Sequence, residues 1–445
     1  MLESMLNAFR APDIRRRLLF VLAILVVYRA LAHVLIPGIN PAVLNNQGGD
    51  SSGFFGLLSL FSGGDIRRMS IVGLGLNPYI NATIIMQILQ STIPSLQALS
   101  REGEYGRNKI TSYSRWLSVP LAALQAYGIL AFVQADTARN SNGLAAYTVP
   151  FSFEKYESLS MILALTVGSV VLMWLGELIT EKGIGNGISF IIFAGIVSRV
   201  PSAVGQFLNS PDWLELFAFA VVGLLVIFVI IFVQEGQRRI PIQYANRVRG
   251  HRIYQGGSTF LPLRVNMAGV IPIIFAISIL LFPYQIATYF TASAVGWVRD
   301  LSTFIADPNT GILRPSGPVY IILYFLLTFA FAFFYTFIVF KPDETANNLR
   351  KSGGFIPGIR PGLPTEEYLR RVALRITVAG AIFVAAVAVL PFMMGALPVF
   401  ANLASAGIGV QLGGTSILIV VSVVVETMKQ LEAQLMMRSY EGFIR

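Results

Sequence analysis

The stretch RRRLLFVLAILVVYRALAHVLI (15–36) decides the class of fold. Three arginines are followed by an apolar run, Leu18–Ile36, in which Arg29 and His33 are the ionisable groups. An α-helix rises about 1.5 Å per residue, so roughly 20 residues cross the hydrocarbon layer of a bilayer. A basic start before an apolar run also opens a cleavable signal. This run is long enough to span, ends in IPGINP (36–41) and lacks a small-residue cleavage site. It reads as a retained first transmembrane helix.

Outward from it, the chain supplies ten such runs: 18–36, 71–93, 117–134, 159–176, 184–200, 214–233, 267–288, 319–340, 376–397 and 413–428. The fifth and tenth are short and glycine-flanked. Asn77-Pro78 inside the second predicts a helix beginning at Asn77, with a separate element before it. Composition agrees. The 445 residues are 55% hydrophobic and 13% charged, with mean hydropathy +0.67. Soluble domains carry about 25% charged residues, so this chain has too little polar material to coat a surface in water. The expected class is an all-α polytopic membrane protein.

Net charge is +10, which by itself would suit a nucleic-acid binder. Its distribution says otherwise. One set comprises residues 1–17, the connections after runs 2, 4, 6 and 8, and the C-terminal tail with Glu426. That set holds 25 Lys/Arg against 14 Asp/Glu, a net of +11, and everything else nets −1. Positive loops stay inside, so both termini are expected to face the cytoplasm. Two inside connections, 234–266 and 341–375, exceed what joins adjacent helices and are rich in Gly, Pro and Arg. Such loops can rest on anionic lipid or serve as a platform for a large partner, and ribosomal RNA would be attracted by this charge.

Within the runs, ionisable groups are nearly confined to Arg29, His33, Arg199 and Glu426. Ion-coupled transporters place acidic groups or His near mid-membrane. Here the centres are aliphatic, with Asn, Gln, Ser and Thr among them. Ten runs divide as five plus five, near residue 200, and an odd number per half forces the halves into opposite orientation. Interrupted segments close each half, GIGNGISFIIFAGI (183–196) and LGGTSILIVVSVVV (412–425), as in inverted repeats. Between runs 1 and 2, FFGLLSLFSGGDIRRMS (54–70) is too short to cross. It reads either as an interfacial or re-entrant helix or as a small element that moves on Gly63-Gly64 and blocks a cavity.

Several chemistries are excluded. With no Cys there is no disulfide, thiolate nucleophile or iron–sulfur ligation. There is no GxxxxGK[ST] loop for ATP. His33 and His251 fall on opposite sides of the predicted topology, so they make no metal pair. Neither an enzyme activity nor a cofactor is expected.

Eight segments together resemble the SecY family, the central subunit of the bacterial protein-conducting channel. They are FSGG (61–64), LNPYINATIIMQIL (76–89), GEYGRNKI (103–110), ITEKGIGNGISFIIFAGIV (179–197), QRRIPIQYANR (237–247), LPLRVNMAGVIPIIF (261–275), KSGGFIPGIRPG (351–362) and GGTSILIVVSVVVE (413–426). The resemblance implies two inverted five-helix halves, 1–200 and 201–445, around a central pore. It places a pore ring at Ile80, Ile84, Ile188, Ile192, Ile274 and Ile419. From the residues alone, Ile80/Ile84 and Ile188/Ile192 are i,i+4 pairs facing one way, and each isoleucine could equally pack on lipid.

The resemblance makes 54–70 the plug, with Phe61, Gly63 and Gly64 its clearest members, and runs 2, 3, 7 and 8 a lateral gate. Asn81, Thr83, Gln87 and Asn266 are polar candidates at that gate, or plain inter-helical hydrogen-bonding groups. Arg238, Arg239, Arg247, Arg249 and Arg360 would be partner-docking residues. The partners implied are SecE-like and SecG-like small subunits, the SecA motor ATPase, the ribosome through RNA and protein, signal peptides, nascent chains and lipid. The location implied is the bacterial plasma (inner) membrane. The expected function is a gated passive channel for secretion and lateral insertion of polypeptides. The alternative is a secondary transporter of a small polar solute, which lacks a visible coupling-ion site here. An enzyme acting on lipid would need clustered polar catalysts.

Overall fold

The computed structural model describes residues 12–38, 69–140, 156–201, 205, 213–244, 247–249, 252–254, 257–290, 295–307, 311–313, 317–395 and 414–444. In chain order the helices are α1 (Pro12–Leu31), α2 (Asn77–Thr92), α3 (Pro94–Arg101), α4 (Glu104–Asn140), α5 (Tyr156–Lys182), α6 (Gly187–Val197) and α7 (Trp213–Glu235). Strands β1 (Gln237–Tyr244), β2 (Arg247–Arg249), β3 (Arg252–Tyr254) and β4 (Ser258–Arg264) follow. Then come α8 (Ile271–Phe290), α9 (Gly296–Ala306), α10 (Pro318–Val339), α11 (Pro342–Ser352), β5 (Gly354–Phe355), α12 (Leu363–Gly395) and α13 (Gly414–Ile444).

A helix lies on each of the ten apolar runs, with shifted ends. The first stops at Leu31 rather than residue 36, because Ala32–Gly38 turns and Leu35 bridges to Ser70. The second begins at Asn77 with Pro78 in its first turn, and residues 71–76 are turns, as the Asn-Pro pair predicts. The third, ninth and tenth extend well beyond their apolar cores as α4, α12 and α13. Among the described residues, helical stretches containing α5, α7, α10, α12 and α13 are long and apolar enough to cross a membrane. α6 and Ile271–Tyr284 are shorter apolar helices. Phe217, Leu224, Phe228 and Phe232 of α7 are exposed, an outward apolar face that suits hydrocarbon and not water. The protein is a helical polytopic membrane protein.

Beside the helices that set the fold class, the chain forms a small sheet. β1 pairs antiparallel with β4 in the register Ile240↔Leu261, and β5 adds to the other edge of β1 through Gln243↔Phe355 and Tyr244↔Gly354. β2 and β3 form a separate two-stranded ribbon. The segments 234–266 and 341–375 are therefore one unit. Alternation along QRRIPIQY buries Ile240 and Ile242 and exposes Arg238, Arg239 and Pro241. Ile240, Leu263, Ala346, Ile356, Leu369 and Val372 make its own apolar core.

Helix pairings repeat between the two parts of the chain. α2 packs on α4 and α5, α4 on α5, α5 on α6, and α1 on α6. In the second part α8 packs on α10 and α12, α10 on α12, α12 on α13, and α7 on α13. Glycines make the same close approaches in both. A Cβ on Gly168 of α5 would lie 1.9 Å from the Ile71 carbonyl oxygen, in the turn before α2. On Gly380 of α12 it would lie 2.3 Å from the Val265 oxygen, in the turn before α8. Gly187, which starts α6, would meet the Gly176 oxygen of α5 at 1.9 Å, and Gly414, which starts α13, the Val387 oxygen of α12 at 2.5 Å.

Segments assigned to the inside by charge meet at one end. Ile14 of α1, Ile184 between α5 and α6, and Leu431 of α13 form one apolar cluster. Lys429 of α13 pairs with Glu235 at the end of α7 at 2.8 Å, and Arg115 of α4 with Glu177 of α5 at 2.6 Å.

Gly187→Val drives a branched side chain into the backbone of α5 and should cost about 1–3 kcal/mol. It should lower the melting temperature of the purified protein. Gly223→Ala, with open space around its position, should leave it unchanged or raise it; equal melting of the two variants would remove the close-approach argument.

Candidate functional site

Helices α2, α6, α8 and α13 carry the six isoleucines singled out in the sequence, two helices from each part of the chain. Ile80, Ile84, Ile192, Ile274 and Ile419 are buried within the main apolar cluster, and half-buried Ile188 packs against it. The start of α6 is set locally. Asn186 caps it, its Oδ1 accepting from the Ile188 and Ser189 amides at 3.0 and 3.4 Å. Gly185 turns the chain with φ of +81°, and the Gly187 amide donates to Thr180 Oγ1 at 2.9 Å. Seating Gly187 on Gly176 then brings Ile188 and Ile191 to within 3.4 Å of the place a Gly176 Cβ would take.

The two parts of the chain meet along two seams. On one, α8 packs on α2 and α4; on the other, α13 packs on α6. The first seam encloses a small cleft of about 20 Å³, enough for a single water. Asn77 and Asn81 of α2, Gln125 of α4 and Ser278 of α8 supply its polar wall. Leu74, Ile129, Leu281 and Phe282 supply the rest.

Of the four polar candidates, Asn81 alone lines that cleft. Thr83 Oγ1 donates to the Ile80 carbonyl at 2.7 Å, within its own helix. Gln87 keeps a buried Oε1 with no hydrogen-bond partner. Asn266 spends its amide on the turn before α8, donating to the Gly269 carbonyl at 3.1 Å and accepting from its amide at 2.9 Å. Gln125 and Ser278 are not singled out by the sequence reading, and Asn77 figures there only as a helix start. A signal existed for two of them. Asn77 and Asn81 are one helical turn apart, and Gln125 is the one amide in the 117–134 run away from its end.

The basic residues divide by position. Arg238 and Arg239 are exposed on β1, with the Arg239 guanidinium 4.9 Å from the centre of the Phe260 ring. Arg247 and Arg249 lie on β2, in the ribbon beyond the sheet. Arg360 is exposed in the turn between β5 and α12, flanked by Gly358 and Gly362 at φ of +80° and +109°. Ile356, buried in the sheet's core, and Thr365, whose Oγ1 donates to the Arg360 carbonyl at 2.8 Å, hold that turn. Phe61, Gly63 and Gly64 lie outside the described residues, as does 54–70 apart from Met69 and Ser70. Among the described residues no group of three His, Asp or Glu is placed to hold a metal ion.

The SecY family model matches residues 70–428. A protein translocase subunit SecY from Streptomyces scabiei is 43% identical over 452 residues, covering 100% of both chains. One from Mycobacterium leprae is 40% identical over 459 residues with the same coverage. A solved structure described as a protein-conducting channel superposes with a TM-score of 0.61 at 18% identity, covering 93% of this chain and 91% of that one. At that identity the superposition speaks for the fold. The family model spans four-fifths of the sequence and the relatives span all of it, so the chain belongs to the SecY family.

Proposed function

We propose that this protein is a gated, passive channel through which unfolded polypeptides cross the bacterial plasma membrane or leave sideways into lipid. The observation that carries the reading is the family match, over residues 70–428 by the family model and over the whole chain by the relatives. We assign the constriction to Ile80, Ile84, Ile188, Ile192, Ile274 and Ile419, which lie on four helices in or against the main apolar cluster. An aliphatic constriction is poorly wetted and resists ions. It also offers no fixed hydrogen-bond partner, so any side chain can pass once it is pushed open.

In this reading ten helices, α1, α2, α4–α8, α10, α12 and α13, span the membrane as two inverted halves, 1–200 and 201–445. The recurrent pairings and the paired glycine contacts support it. Both termini are cytoplasmic, in keeping with the contacts among the basic segments at one end. Residues 54–70, with Phe61, Gly63 and Gly64, act as the plug. The α2/α4–α8 seam, with α10 beside α8, is the lateral gate, and its polar cleft tunes how readily it parts. A sufficiently apolar segment then leaves for hydrocarbon by ordinary partitioning.

The sheet and the Arg360 turn form a docking face for a ribosome or a SecA-type motor, which supply the energy this chain has no site to generate. Arginine's fork suits both RNA phosphate and carboxylate. SecE-like and SecG-like subunits accompany it in the membrane.

Three outcomes test this. Single cysteines at positions 80, 84, 188, 192, 274 and 419, in a chain with no native Cys, should crosslink to an arrested secretory polypeptide. Failure at all six with arrest intact would sink the ring. Arg360→Glu should impair motor-driven export several-fold at normal channel abundance, and normal export would remove the docking role. Gln125→Leu should lower the apolarity a segment needs for lateral insertion by about 0.6–1.7 kcal/mol, the range of one inter-helical polar contact. An unchanged threshold across a graded Leu/Ala series would detach the cleft from gating.

A further inference from the structure

We propose that α9 is an interfacial helix whose free apolar stripe, Trp297, Leu301 and Phe304, inserts into the headgroup–acyl boundary of the bilayer. This assignment is separate from the channel reading and holds for either orientation of the chain.

α9 has three distinct faces. Ser302 and Ala306 are buried, Ile305 packs into the main apolar cluster, and the helix rests on α8. Arg299 and Asp300 form an exposed charged edge. The third face carries Trp297, Leu301 and Phe304, spaced i, i+4 and i+7, with exposures of 72%, 52% and 61%. A helix spaced this way presents one continuous strip.

The helix is held firmly. The returning chain bonds back onto it, the Ile312 amide donating to the Phe304 carbonyl at 2.9 Å and the Leu313 amide to Ile305 at 3.1 Å. Leu313 packs into the main cluster alongside Ile305. The apolar strip is thus presented by a fixed element.

Position names the occupant. α9 joins the end of α8 to the start of α10, so it lies at a membrane face by connectivity alone. Phe290 at the end of α8, Val295 before α9 and Val319 and Ile322 in the first turns of α10 are also exposed. Exposed apolar residues thus flank α9 in the chain on both sides. Tryptophan favours this depth because its ring is apolar and its N–H seeks a polar partner. A helix with one apolar strip and one charged edge lies in the interface plane. Since α9 rests on α8, the anchor ties the end of α8 to the plane of the bilayer.

The test uses the full chain, reconstituted with its small membrane subunits in phosphatidylcholine/phosphatidylglycerol vesicles. Trp116→Phe, Trp174→Phe and Trp213→Phe leave Trp297 as the sole tryptophan. Its emission should be quenched about two-fold more by lipid brominated near the glycerol end of the chain than near the methyl end, as a shallow helix requires. Aqueous acrylamide should quench it weakly. Strong acrylamide quenching without bromolipid quenching would place the strip in water and overturn the proposal. Protection from both quenchers would show a protein cover, either another subunit or a second copy, and would overturn it equally. Spin labels at Leu301→Cys and Arg299→Cys give an independent reading if the tryptophan-depleted protein folds poorly. Label 301 should be reached by oxygen and label 299 by an aqueous nickel chelate; the same accessibility at both would refute the orientation.

Discussion

The architecture depends on how closely one backbone can lie on another inside a membrane. Lipid tails are as apolar as leucine side chains, so no hydrophobic push drives helices together there, and packing must come from close contact. Gly168, Gly187, Gly380 and Gly414 supply it, each placed where a Cβ would fall on a neighbouring carbonyl oxygen. Two hold the turns before α2 and α8, and two hold the starts of α6 and α13. These are the four helices that carry Ile80, Ile84, Ile188, Ile192, Ile274 and Ile419. A side chain at any of the four glycines would push the neighbouring backbone away and displace the helix that depends on that contact.

The interior that results is aliphatic and weakly directional. Its contacts are many and individually small. Asn77, Asn81, Gln125 and Ser278 gather polar groups of the α8–α2/α4 seam around one cleft. The firmer polar ties lie at the ends of helices. Lys429–Glu235 and Arg115–Glu177 join helices within the two halves at the end where the basic segments gather, and Gln234 donates to Ser422 beside the first of them. These ion pairs each join helices within one part of the chain, whereas apolar contacts such as the Ile14–Ile184–Leu431 cluster join the two parts.

The second structural unit obeys the rules of soluble proteins. β1 alternates buried and exposed residues, and β5 docks on its edge from more than a hundred residues further along the chain. One small core then holds both the strand that carries Arg238 and Arg239 and the turn that carries Arg360, so two basic segments become one unit.

The helical membrane class, the ten apolar runs, the one-sided charge and the family were all legible in the residues, because span length, apolarity and positive loops are local properties. The helix start at Asn77 was legible for the same reason: cap and proline chemistry act within one turn. The helix ends at Lys182 and Ile444 were not, because polar turns extend a helix beyond its apolar core when the helix packs elsewhere, nor was the early stop at Leu31, where a bridge from Leu35 to the distant Ser70 ends the helix. Nor were Gln125 and Ser278 as partners of Asn81, or β5 as a partner of β1. These are pairings between distant segments, which no local spacing encodes. The sequence by itself determined which segments are apolar enough for a membrane and which carry charge. Only the tertiary structure decided which helices touch, since that rests on where glycine lets two backbones meet.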